Sequence, residues 1–202
     1  MRSMIFSNPA ASAGKAVSQK VPRKNVSPVL TKGGVKIIAG LIFKDRETLK
    51  KTLRVLSRKL GPIDMESEIF PFNLTRYYND EMGEDLKRKF ISFRKLRDSK
   101  DIYKLKLFTN KVEKRLSISG RRRINIDPGY LTLAKLVLFT TKDYSHRIYI
   151  EDGIYAEVTL SFKNGSYKPW EWTYPDYKTT DYITFFNRVR SLYINGLKKK
   201  ND

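Results

Sequence analysis

Thirty-five residues, Asn125 to Thr159, constrain the fold more than any other part of the chain, because they hold a hairpin whose register follows from parity. If Glu151, Asp152 and Gly153 form a three-residue loop, Ile148 faces Ala156 and His146 faces Val158, while Arg147 faces Glu157 and Tyr149 faces Tyr155. An even loop would pair Ile148 with Glu157 and mix the two faces, so the odd loop is preferred, and Gly153 suits its left-handed position. One face of the hairpin is then apolar and carries His146, Ile148 and Ile150. The other carries Ser145, Arg147, Tyr149, Tyr155, Glu157 and Thr159 and is expected to look outward.

The rest of the chain reads as helices and short strands. Val35 to Phe43 is a β-branched, apolar run suited to a strand buried on both faces. Asp45 can cap a following helix whose stripe is Leu49, Leu53, Leu56 and Leu60, and Gly61-Pro62 stops it. Ile63 to Phe70 alternates, with Asp64, Glu66 and Glu68 on one face, and completes a β-α-β start. A helix is expected around Glu84 to Phe93, and a second amphipathic one on Ile102, Leu105, Phe108, Val112 and Leu116, ending near Gly120. Arg121 to Ile126 reads as a strand entering an Asp127-Pro128-Gly129 turn, and Leu131 to Thr141 as a buried strand with a short helical lead-in. Asn164-Gly165 marks another turn, leading to a strand through Trp170 and Trp172. A final helix capped by Thr180 or Asp181 turns Ile183, Phe186, Val189 and Tyr193 inward.

This order predicts an α+β fold: residues 35–197 form a single domain with helices packed on a mainly antiparallel or mixed sheet, and a ferredoxin-like core is one topology that fits. Residues 1–34, without helical or strand periodicity, are expected to be a flexible basic tail, and 198–202 a short basic C-terminal one. Among 202 residues, 41 Lys and Arg outnumber 21 acidic residues, a net charge of +20. Residues 1–44 hold eight basic residues and no acid, so the predicted domain is itself strongly basic, which points to anionic partners. The absence of cysteine excludes disulfides, thiolate nucleophiles and Cys-ligated zinc and suits a cytoplasmic location. No apolar run reaches the roughly 20 residues of a membrane helix, so no membrane partner is expected.

Four blocks in order carry a resemblance: GPIDMESEIFPFNLTRYY at 61–78, EMGEDLKRKFISF at 81–93, NIDPGYLTLAKLVLFTTKDYSHRIYIEDGIYAEVTL from Asn125, and WTYPDY at 172–177. Together they resemble domain-of-unknown-function family 4416 over about residues 35–195. The resemblance implies a prokaryotic cytosolic protein without an established activity, some relatives of which are labelled GTP-binding. The residues do not support that label. A P-loop needs G-x-x-x-x-G-K-S/T to wrap phosphates in backbone amides, and none is present. Asn110-Lys111-Val112-Glu113 departs from a guanine-reading N-K-x-D at its last residue and lies inside an amphipathic helix.

Three candidate catalytic residues stand out. His146 is the only imidazole and the natural general base, although the parity argument sets it among aliphatics. Asp127 sits at a strand end, where α/β sheets often hold ligands, but Asp before Pro-Gly is also ordinary turn chemistry. Glu157 can pair with Arg147 across the hairpin, either in a site or as a solvated ion pair worth about 0.2 to 1 kcal/mol. Candidate ligand-binding residues are Arg121, Arg122, Arg123, Lys142, Arg147, Tyr149 and Tyr155. Lys87-Arg88-Lys89 and Lys198 to Lys200 add basic clusters, with Trp170, Trp172, Tyr174 and Tyr177 as stacking groups. The Asp64, Glu66, Glu68 stripe could hold Mg²⁺ if joined by Asp127 or Glu157, but more often such a stripe faces solvent, so no metal site and no cofactor is assigned.

The leading expectation is a binding module for a phosphorylated or polyanionic ligand, with nucleic acid the foremost partner. The alternatives are a small enzyme acting on a nucleotide-like or phosphorylated substrate, with Asp127, His146, Arg147 and Glu157 converging in one cleft, and a structural partner in a protein assembly.

Overall fold

The computed structural model describes residues 34–198; the tails expected at 1–34 and 198–202 lie outside that range apart from Gly34 and Lys198. The apolar run expected at the start is strand β1 (Lys36–Phe43), and every residue in it is buried. Helix α1 (Arg46–Leu60) follows, with the Asp45 carboxylate accepting the Thr48 amide at 2.7 Å and Gly61 closing the helix at a φ of 98°. Further along come β2 (Ile63–Glu66), β3 (Phe70–Pro71), the single turn α2 (Asn79–Met82), β4 (Lys87–Phe93) and α3 (Lys104–Leu116). The chain continues with β5 (Ile124–Leu131), β6 (Lys135–Thr140), β7 (Ile148–Glu151), β8 (Ile154–Lys163), β9 (Ser166–Pro169), a 3-10 turn (Pro175–Lys178) and α4 (Thr180–Lys198).

The nine strands form one sheet in the order β2-β4-β1-β5-β6-β8-β7, with β3 beside β4 and β9 beside β8, and all neighbours are antiparallel. The fold is α+β. β1 and β2 run in the same direction with β4 between them. The order β2-β4-β1-β5, with α1 and α3 on one face, is compatible with a ferredoxin-like core, and β6 to β9 extend the sheet beyond it. Alternate residues of β1 serve opposite layers, as the pleat requires. Ile37, Ala39, Leu41 and Phe43 pack with Leu56 of α1 and Val112 of α3, while Ile38 joins Phe90 beneath Phe186, Val189 and Tyr193 of α4. Among the described residues no helix is long and apolar enough to cross a membrane.

Several local expectations are corrected. The helix expected at Glu84–Phe93 is β4, paired with β1 on one side and β2 on the other. Its basic residues look surface-helical in sequence, yet Arg88 is 3% exposed because carboxylates from distant segments meet it. The Asp127-Pro128-Gly129 turn is absent: β5 runs straight through it, pairing with β1 from Ile124 to Leu131. No helix leads into β6, where Thr132 accepts backbone bonds from Ala134 and Lys135 in a bend. The strand expected through Trp170 and Trp172 stops at Pro169, beyond which the two indoles stack with centroids 5.1 Å apart. The strand expected at Ile63–Phe70 breaks after Glu66, and α4 is capped by Thr179, whose carbonyl accepts Ile183 N–H at 3.1 Å.

Candidate functional site: a cleft where the sheet splits

β5 and β6 pair only through Gly129–Leu131 and Leu136–Leu138; beyond that they diverge. Two residues mark the point of divergence. Ile126 turns its backbone groups away from β1, so by the two-residue alternation Pro128 does too, and its missing N–H falls on the side where no strand follows. A Cβ on Gly129 would lie 2.2 Å from the Val137 carbonyl oxygen, so only glycine permits the last close pairing. α3 supplies what the lost strand would have. Glu113 Oε1 accepts the Ile126 N–H at 2.7 Å, and Lys106 Nζ donates to the Ile126 carbonyl at 2.8 Å. Spaced seven residues apart, Lys106 and Glu113 share one face of the helix, a step away from its apolar stripe.

The opening is a cavity of about 210 Å³ whose floor is a network of paired charges, with Arg88, Lys106, Glu113 and Asp176 buried and Asp127 and Arg122 part-exposed. Arg88 NH2 lies 2.7 Å from Asp176 Oδ2 and its NH1 lies 3.2 Å from Asp127 Oδ2. Lys106 Nζ is 3.7 Å from Glu113 and 4.0 Å from Asp127. Arg122 bonds Glu81 through Nε at 2.6 Å, Glu113 through NH1 at 3.2 Å and the Asn125 side-chain oxygen Oδ1 at 3.0 Å, and the Asn125 side-chain amide Nδ2 donates to Asp127 at 3.0 Å. The guanidinium of Arg88 also packs over Phe72, Phe90 and Tyr177. Burial pushes the Glu113 carboxyl up against the pull of Lys106 and Arg122. Burial works the same way on Asp127, but Lys106 and Arg88 outweigh it and hold that carboxyl below the usual range.

A pH dependence follows. Because the folded pKa of Asp127 lies below its unfolded value of about 3.9, the stability it contributes is complete above that value and is lost as pH falls through the folded pKa. Urea-unfolding midpoints followed downward from about pH 6 should therefore fall less steeply below about pH 4 in Asp127→Asn than in the parent. Parallel profiles would mean that the two cations do not hold this carboxylate.

The hairpin reverses one expectation. Its register is as predicted at Ile148↔Ala156 and Tyr149↔Tyr155, but a bulge at Ile150 shortens the loop to Asp152-Gly153. The expected division of faces fails: Tyr149 is exposed as predicted, but so are Ile148, at 70%, and Ile150 from the face expected to be buried, whereas the Arg147 and Glu157 side chains, expected outward, are each 3% exposed. A turn closed by Arg147 N–H on the Tyr144 carbonyl drops Arg147 inward ahead of the strand, where Nε meets Glu157 at 2.7 Å and NH1 meets the Lys142 carbonyl at 3.1 Å. His146 lies outside the ladder and does not face Val158. It sits between the Tyr144 and Trp172 rings, with Nε2 3.3 Å from Glu157 Oε2 but not in hydrogen-bonding geometry.

Of the residues singled out from sequence, Arg122, Asp127, Lys142, Arg147 and Glu157 line the cleft together, and Tyr174 and Tyr177 line it as well. His146 touches it only through Glu157. Tyr149 and Tyr155 pack on each other across β7 and β8 and do not line it. The Arg121–Arg123 cluster is dispersed: Arg121 is exposed, Arg122 turns into the cleft, and Arg123 pairs with Asp45 at 2.9 Å. The acidic stripe is dispersed too, since Asp64 accepts from Lys36 and Ser92 while Glu66 meets Lys89. Among the described residues no group of three or more His, Cys, Asp or Glu is placed to hold a metal ion. Lys106, Glu113, Asn125 and Asp176 were missed as site residues, and of the Lys87-Arg88-Lys89 cluster only Arg88 lines the cleft. The one available signal was the polar face on α3 beside the apolar stripe; Asn110, from the string that departs from N-K-x-D, lies on the cleft wall with it.

Fold and site thus define an antiparallel α+β protein with a charge-lined cleft at a split in its sheet. The chain belongs to the family described as Domain of unknown function (DUF4416), whose model matches residues 33–193. No curated protein and no solved structure matches it.

Proposed function

We propose that this chain binds a small phosphorylated or otherwise anionic molecule in the cleft between β5 and β6. The observation that carries the reading is the wall itself: five cations, Arg88, Lys106, Arg122, Lys142 and Arg147, converge on one cavity with aromatic rings and four carboxylates, Glu113, Asp127, Glu157 and Asp176, so that positive charge is in excess and Lys142 has no carboxylate within 4.0 Å among the described residues. Buried ion pairs add little net stability compared with apolar residues of similar volume, so folding alone gives no reason to gather so many here. Titratable groups shifted by burial and by specific charge partners cluster at functional clefts. A small ligand is favoured over nucleic acid because these cations line a cavity and do not form an exposed stripe along which a phosphate backbone could run. The lack of cysteine supports a cytoplasmic setting.

A second reading, an enzyme acting on such a molecule, is favoured by Glu113. Its carboxyl is pushed upward by burial, toward the range useful for proton transfer, and it shares the cleft with Asp127 and Glu157.

Thermal unfolding of the full chain with inorganic phosphate, sugar phosphates and nucleoside monophosphates tests the binding reading. A ligand at one hundred times its Kd should stabilise the protein by about 2.7 kcal/mol. No stabilisation by any phosphorylated small molecule, together with salt-sensitive binding of an oligonucleotide, would overturn it in favour of nucleic acid. Turnover of a ligand found in this way would support the enzyme.

A further inference from the structure

The charges in the cleft are unevenly matched from floor to rim, and the asymmetry tells which way round a ligand enters. On the floor every cation already faces a carboxylate: Arg88 has Asp127 and Asp176, Lys106 has Glu113, Arg122 has Glu81 and Glu113, and Arg147 has Glu157. A phosphate carried there would approach several buried carboxylates in a medium that screens them poorly, and repulsion would offset the gain from the cations. Lys142 is the exception. Its ammonium lies 3.7 Å from the centre of the Tyr77 ring and bonds the Tyr77 hydroxyl, and no carboxylate lies within 4.0 Å of it among the described residues. It stands at the rim, beside the exposed Thr141 and Tyr77.

What the floor still offers is uncharged hydrogen bonding. The Asn110 amide has no hydrogen-bond partner among the described residues and faces the cavity from α3. The Tyr177 hydroxyl, on a residue 2% exposed, is also without a partner. Phe72 and Phe139 supply apolar wall. The volume, about 210 Å³, falls below the roughly 300–1,000 Å³ of sites for drug-sized ligands.

Resting on the anion-binding reading above, we propose that the cleft takes a phosphate monoester of sugar-phosphate size. The phosphate sits at the rim on Lys142 and the uncharged, hydroxyl-bearing body lies against the floor at Asn110 and Tyr177. Charge-assisted bonds from a cation that has no carboxylate within 4.0 Å among the described residues give the phosphate its affinity. The hydroxyls of the body supply donors and acceptors to the half-buried Asn110 amide and to the buried, unpartnered Tyr177 hydroxyl.

Isothermal titration of the full chain with ribose 5-phosphate, ribose, inorganic phosphate and adenosine monophosphate tests this. Ribose 5-phosphate is expected to bind about tenfold or more tighter than each of the other three. Lys142→Gln, a change at the rim, should lower affinity for ribose 5-phosphate about tenfold or more without moving the unfolding midpoint, while Arg121→Gln, an exposed cation outside the cleft, should leave it unchanged. Asn110→Ala should erase the preference for ribose 5-phosphate over inorganic phosphate and leave phosphate affinity intact. Binding insensitive to Lys142→Gln, or adenosine monophosphate binding as tightly as ribose 5-phosphate, would overturn this orientation and size while the anion reading stood. No binding by any phosphate-bearing probe would overturn both.

Discussion

Replacing Arg88 by methionine will cost about 3–5 kcal/mol of stability, the loss typical when one partner of a buried ion pair is removed. Methionine keeps an unbranched apolar chain but removes the guanidinium that packs over Phe72 and Phe90, and it leaves Asp176, itself buried, without its partner at 2.7 Å, and Asp127 without one of its two cations. Urea unfolding near neutral pH measures the loss. Adding Asp176→Asn should recover part of it, because the stranded charge disappears with the second substitution. A loss under about 1 kcal/mol would mean that Asp176 reaches water and that its pair with Arg88 behaves as a surface ion pair.

Gly129→Ala should destabilise the fold by about 1–3 kcal/mol or more, through overpacking at the junction of β5 and β6. The new methyl would lie 2.2 Å from the Val137 carbonyl oxygen and 2.8 Å from Leu138 Cδ2. A backbone oxygen held in a strand pair cannot yield as the tip of a side chain can, so the two strands must part and the split lengthens. The substitution should therefore also weaken any stabilisation by phosphorylated ligands, since Asp127 on β5 and Lys142 beyond β6 move relative to each other. Stability within about 0.5 kcal/mol of the parent, the range of ordinary surface substitutions, would show that the junction is looser than its geometry indicates.

Much of the fold is legible in single segments. The leucine stripe of α1 and its Asp45 cap need no distant partner, and they appear where expected. The Asn164-Gly165 turn is as direct: both residues take positive φ, 50° and 81°, the conformation that a tight hairpin requires. The pairing of Ile148 with Ala156 followed from counting residues around Gly153. Arg88 and Pro128 show where such reasoning stops. A basic run reads as a solvated helix until Asp127 and Asp176, 39 and 88 residues away, are brought to it. Pro-Gly reads as a turn until the unpaired side of β5 is known to face a gap.

The candidate site divides in the same way. Asp127, Lys142, Arg147 and Glu157 were picked out as chemistry-bearing residues, and they do line one cleft. That Arg147 and Glu157 face inward could not be read from the alternation, because a strand pattern separates two faces without saying which of them is wet. Glu113 and Lys106 were hidden for a related reason: a helix next to a broken sheet uses polar side chains to satisfy its neighbour's backbone, and nothing in the helix itself reports the break.

By itself the sequence determined the stripe and cap of α1, the stripe of α3, the Asn164-Gly165 turn and the pairing of Ile148 with Ala156, since each depends on bonds and sterics spanning a few residues. The tertiary structure alone decided where charge is buried and which face lines a cavity. A charged side chain stays in the interior only where groups of opposite sign arrive with it, and here most of those groups come from remote parts of the chain.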